Sequence, residues 1–272
     1  MEFQLEAYDI AKSDNNFSQQ LSILRNLFIF YRRQNVTELA YSYLQQALQL
    51  AEEENLRSET ASILLSLGIY FLEVEKDPDT ALTHFERAKE VAQNANNFHH
   101  YYNSLIELGE LHVETGNVEL AEDYFFRARN LSENRQDDAG AIQAVMRLAN
   151  LYTKTDRFDL AAAISEPYKL EDFNQLQFNL QVLATNTLLK IYLHYNDYDH
   201  AVKLSTEMIS EISDWLKESI DHQTGHMRMD KEFSEAYQLH SQMMHDTGNY
   251  LQGLADAIEL RELSRSGFYN NP

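Results

Sequence analysis

Two small-residue markers recur through this 272-residue chain at one spacing. Ala40, Ala81, Ala121, Ala161 and Ala201 step by 41, 40, 40 and 40. A second series, Ala7, Ala47, Ala88 and Ala128, steps by 40, 41 and 40. A fixed period of this length marks a repeat array, in which one supersecondary unit is copied along the chain. Such a unit cannot bury its apolar face alone, so the copies must stack.

Each copy has the pattern of two helices. In Ala81-Leu82, Phe85, Ala88, Val91-Ala92 the apolar residues fall three and four apart, on one helical face. Small residues let paired helices approach closely, and the aromatics fill the space between side-chain ridges. Phe28, Phe30, Phe71, Phe85, Phe125 and Phe126 sit at this spacing and are expected in the core. Polar turns separate the helices at 33–35, 76–79, 115–117, 155–157 and 196–197. With 8 Gly and 3 Pro in the whole chain, little else interrupts the helical pattern.

The fullest copy runs Leu108-Gly109-Glu110-Leu111-His112, Thr115-Gly116-Asn117, Ala121, Phe125 and Ala128. The same order recurs as Leu67-Gly68, Ala81, Phe85 and Ala88, with one residue inserted before Ala81, and as Phe28, Ala40, Leu44 and Ala47. Weaker copies carry Leu148-Ala149, Tyr152 and Ala161, then Leu188-Leu189, Tyr192 and Ala201. This pattern resembles the tetratricopeptide repeat, in a version with a period near 40 and no terminal Pro. The resemblance implies an all-α, right-handed superhelical solenoid of antiparallel helix pairs.

The expected organisation is one solenoid over 1–272. Residues 21–220 form five repeats. Residues 1–16 form an N-terminal helix, because 7–16 echo 88–97, which close the second helix of a repeat. That helix reads either as a cap or as the second half of a truncated repeat. Residues 228–266 form a last pair, where Thr247-Gly248-Asn249 copies 115–117 and the step from Ala201 to Gly253 lengthens to 52. The final amphipathic helix would serve as a solubilising cap, as a contact with a second copy in a homodimer, or as a connection to an absent output domain.

Composition narrows the function. The formal charge is −21, which argues against nucleic acid and against anionic membrane surfaces as partners. No Cys is present, so disulfides and thiolate chemistry are excluded. Residues 1–16 are acidic with no apolar run, unlike a signal peptide, and Leu27–Tyr31 is too short to span a membrane. A soluble, cytoplasmic protein is expected. Phosphate-loop, dinucleotide, nucleophile-elbow and kinase signatures are absent, so no catalytic residue is assigned. Asp221, His222, His226 and Asp230 cluster, but Gly225 interrupts their helix. His99-His100 is placed in an inter-repeat loop. Neither group suggests a metal, and no cofactor is implied.

In the resembled family, the first helices line the concave face and fixed positions of each unit point into the groove. Carried over by register, these positions hold Arg25, Arg32 and Arg33, then Asn103, Glu110 and Glu114, then Asn150 and Lys154, then Asn186, Lys190 and His194. Arg25, Arg32, Asn103, Glu110, Asn150, Lys154, Asn186 and Lys190 are the expected peptide-binding set. Asn150 matches a position whose amide grips a bound backbone, since an amide donates and accepts together. Basic ends flanking an acidic middle suit an extended peptide of mixed charge. Ser62, Leu65, Ile69 and Ile106 replace the family's carboxylate clamp for chaperone tails, which disfavours that partner. The expected function is a scaffold or sensor that captures an extended peptide or partner segment. The alternatives are a regulatory domain cut from a multidomain bacterial-type signalling protein and, more remotely, a stand-alone enzyme.

Overall fold

The computed structural model describes residues 2–168, 170–221 and 231–246. Among them the regular structure is helical, with no strand. The chain divides into two compact units, Met1–Ala128 and Arg129–Pro272.

The first unit contains α1 (Glu2–Ser13), α2 (Phe17–Arg33), α3 (Thr37–Glu53), α4 (Arg57–Tyr70), α5 (Pro78–Asn94) and α6 (Phe98–Glu114). The division falls within α7 (Val118–Glu133). The second unit continues with α8 (Asp138–Lys154), α9 (Phe158–Ser165), α10 (Phe178–His194), α11 (Tyr198–Asp221) and α12 (Lys231–Asp246). The expected last pair is described only in its first member, since its partner over 250–265 lies outside the described residues. So do His222, His226 and Asp230.

Most helices end in the same way. Asn15, Asn35, Asn55, Lys76, Asn96, Gln136, Asp156 and Asn196 have φ between 51° and 58°, and Gly116 has φ 76°. They recur at half the repeat period. The residue after each one donates to a carbonyl five or six positions back, as in Val36 N to Tyr31 O at 3.0 Å and Asn117 N to His112 O at 2.8 Å. This closure satisfies the orphan carbonyls of a helix end and reverses the chain. Asn suits the position because its short polar side chain tolerates the left-handed region.

The one-residue insertion also has a location. After Tyr70 the helix widens into a π-helical turn, Phe71–Glu75, which absorbs the extra residue before Lys76 reverses the chain. The single lengthened step of the alanine series and the π turn are therefore one feature.

Packing within pairs depends on complementary sizes. A Cβ on Gly109 would lie 2.4 Å from the Phe125 ring, and one on Gly68 would lie 2.3 Å from Phe85. The first pair reverses the arrangement, with Phe28 at the Gly position and Leu44 at the Phe position, both in one cluster with Leu24 and Ala47. Rings also link the two helices of a pair. Tyr31 stacks on Tyr43 at 5.5 Å, Phe71 on His84 at 5.3 Å and His112 on Tyr124 at 5.5 Å. These are equivalent positions in three successive repeats.

Three expectations need correction. Phe30 and Phe126 are 40% and 36% exposed, because the core face of each helix already takes the neighbouring Phe28 and Phe125. His99 and His100 lie in the first turn of α6, since Asn97 caps that helix by accepting from His100 N at 3.0 Å. The fourth repeat is irregular. Its second helix α9 stops at Ser165, two residues before Pro167, which has no N–H to continue the helical ladder. A 3₁₀ segment, Leu170–Gln175, follows and buries Phe173 beside Ile142, Met146 and Ala184.

Gly109→Ala is expected to cost about 1–3 kcal/mol by overpacking against Phe125. Adding Phe125→Leu should recover much of that loss, because Leu already fills this position in the first repeat. Urea unfolding midpoints test this; an unchanged midpoint in the single variant refutes the contact. A second expectation concerns pH. Burial pushes the His84, His100 and His112 imidazoles below the ordinary value of 6.5. They bind protons more readily when unfolded, so they should cost stability as pH falls below about 6.5. His112→Phe, which keeps a ring on Tyr124, should flatten that fall in melting temperature. An identical pH profile would show that His112 does not carry it.

Candidate functional site

In the first unit, the first helices of three repeats enclose a cleft of about 300 Å³. Its floor is Leu21 and Ile63, each 7% exposed. Its walls carry Ser18, Ser22 and Arg25 from α2, Ser58, Glu59 and Ser62 from α4, and His100 from α6. The serines are repeat equivalents: Ser18 and Ser58 stand one period apart, as do Ser22 and Ser62. Small side chains at both positions leave the space open.

Among the described residues, hydrogen-bonding capacity in the cleft is largely unspent. Ser58 Oγ accepts from Asn97 Nδ2 at 2.8 Å, which leaves its own proton free to donate. The His100 ring is held mostly uncharged at neutral pH by burial, reinforced by His99 beside it and opposed by Glu59. Its Nδ1 is buried without a hydrogen-bond partner.

Of the expected binding residues in this unit, only Arg25 lines the cleft. Arg32 and Arg33 are exposed, and Arg32 pairs with Glu73 at 3.0 Å. Asn103 is half-buried, with Nδ2 at 3.2 Å from His99 Nε2. Glu110 is half-buried and Glu114 exposed. Glu59, the serine pairs and His100 were missed. The recurrence of Ser18 as Ser58 and of Ser22 as Ser62 was a usable signal, because identical small polar residues on successive first helices must align.

In the second unit, three expected residues take buried or half-buried places. Lys190 Nζ on α10 donates to Asn150 Oδ1 on α8 at 3.2 Å and pairs with Glu235 Oε1 on α12 at 2.7 Å. One ammonium thus ties three first helices together. Asn150 is 6% exposed and Asn186 fully buried, while Lys154 and His194 are exposed. His194 stacks on Phe158 with ring centroids 3.9 Å apart. Glu235 escaped the register, because it sits beyond the irregular interval that follows Ala201.

A smaller cleft in this unit, about 160 Å³, lies between the 3₁₀ segment, α10 and α11. Burial and the neighbouring Glu207 push the Glu211 carboxyl upward there. Among the described residues, no group of three His, Cys, Asp or Glu side chains could hold a metal ion, and no helix is long and apolar enough to cross a membrane.

The sequence profile of the tetratricopeptide repeat family matches residues 19–94. Those residues are tetratricopeptide repeats. They span α2 through α5, and so supply the tetratricopeptide first helices that form two of the cleft's three walls. No curated protein sequence matches the chain. The apo form of RapI is similar in fold, with a TM-score of 0.54 at 14% identity, covering 96% of this chain and 90% of that one. A Rap protein complexed with competence and sporulation factor gives 0.54 at 16%, covering 90% and 74%. A signal transduction ATPase with numerous domains (STAND), from Pyrococcus horikoshii and bearing a tetratricopeptide repeat sensor, gives 0.52 at 14%. That match covers 97% of this chain but only 41% of the Pyrococcus protein. These likenesses are of tetratricopeptide fold.

Glu235→Gln should weaken the seating of α12 by about 1 kcal/mol, as expected for losing a partly exposed ion pair. Faster amide exchange along α12, with α2–α5 unchanged, is the expected result. Unaltered exchange in α12 would show that the Lys190 contact does not hold it.

Proposed function

We propose that this chain is a partner-binding module that captures an extended segment of a protein or peptide on the faces of its first helices. The observation that carries the reading is the cleft between α2 and α4: an apolar floor, hydroxyl walls and an exposed Arg25. Few precisely placed polar groups around an apolar base are what a ligand cleft needs. Serine hydroxyls can donate to the carbonyls of an extended backbone, while Leu21 and Ile63 meet its side chains. Arg25 comes from the expected binding set. In the second unit Lys154 is the exposed member of that set, while Asn150 and Lys190 are engaged with each other and with Glu235.

Relatives in fold support the reading. One Rap protein is complexed with competence and sporulation factor, and the Pyrococcus horikoshii STAND protein carries a tetratricopeptide repeat sensor. A regulatory variant of the same reading is favoured by one contact. Lys190 joins the Asn150 face to α12, so a ligand that draws Lys190 away from Glu235 would loosen α12.

Peptides selected on the full chain from a random display library provide the test. Ser22→Phe fills the cleft from an exposed position and should weaken the selected peptides about tenfold or more. Ser210→Phe, on an exposed position of α11, should leave them unaffected. Equal binding to all three proteins would remove the cleft as the capture site.

A further inference from the structure

Two opposite charges stand in the cleft without meeting. Arg25 on α2 and Glu59 on α4 line the same space of about 300 Å³. Among the described residues neither makes an ion pair, although pairs between elements form elsewhere in this unit. Arg32 at the other end of α2 reaches Glu73 at 3.0 Å, and Arg87 on α5 pairs with Glu52 on α3. Arg25 and Glu59 instead line the cleft together with Ser18, Ser22, Ser58 and Ser62.

The charges restrict what can enter. A neutral apolar segment would strip water from both groups and return nothing. A purely acidic segment would meet Glu59, and a purely basic one would meet Arg25. A segment with one charge of each sign replaces both hydration shells by charge-assisted hydrogen bonds. From this, and resting on the capture reading above, we infer that the cleft selects a mixed-charge segment, with an acidic side chain against Arg25 and a basic one against Glu59. The two charged residues are separated by enough extended chain, at about 3.3 Å per residue, to reach from α2 to α4. The hydroxyls of Ser22, Ser58 and Ser62 face the backbone between them.

The assignment predicts a specificity switch, because reversing one wall charge leaves two of like sign. Four sets of labelled synthetic dodecapeptides in a Ser/Ala/Leu background serve as probes: one Asp with one Lys three positions apart, two Asp, two Lys, and uncharged. They are titrated at neutral pH and low salt, where screening is weak. The wild-type chain should bind the Asp/Lys set most tightly. Arg25→Glu should shift preference to the two-Lys set, and Glu59→Lys to the two-Asp set, each by about fivefold or more. Binding whose charge preference is unmoved by either reversal overturns this inference and leaves the capture reading standing. A wild-type preference for a single sign of charge overturns it as well. Binding of no set by the wild-type chain, with no display-selected peptide sensitive to Ser22→Phe, removes the capture reading beneath it.

Discussion

The left-handed residue that closes most helices is the constraint on which the remaining structure depends. It recurs at half the repeat period, from Asn15 to Asn196, and its hydrogen-bond closure reverses the chain with almost no loop. Many of the helices that follow are 16 or 17 residues long, and within each unit alternate helices run the same way. Residues one period apart then come to equivalent places on successive first helices. That is why Ser18 and Ser58 line one cleft, and why Asn150 and Lys190 meet at 3.2 Å.

Within this frame, pairs are free to exchange large and small residues so long as the space is filled once. Gly68 and Gly109 accept a Phe ring from the partner helix, whereas Phe28 faces the smaller Leu44. Departures from the frame are local for the same reason. The π turn at Phe71–Glu75 absorbs one inserted residue, and Phe173 from the 3₁₀ segment fills the core that the shortened α9 leaves uncovered.

Charge is arranged differently in the two units. In the second unit the Lys190 ammonium is consumed by the protein itself, between Asn150 and Glu235. In the first, Arg25 and Glu59 face a shared cleft and remain available. One charge of each sign thus lines a cleft in a chain whose formal charge is −21. The second-unit arrangement joins helices.

The period, the helix pairs and the polar turns were legible in the sequence, because they rest on spacing and on small residues that stacking requires at fixed positions. The shortened α9 was legible only in part, through Pro167. Register named Arg25, Asn150 and Lys190 as open groove residues; Arg25 lines the first unit's cleft, whereas Asn150 and Lys190 are engaged with each other. It overlooked Glu59, His100 and Glu235, since each contributes through a partner on another helix. By itself the sequence determined the repeat, the fold class and which helices come first in each pair, because periodic burial imposes a periodic pattern. Only the tertiary structure decided which charges pair internally and which face an open cleft, because that depends on distances between side chains far apart in the chain.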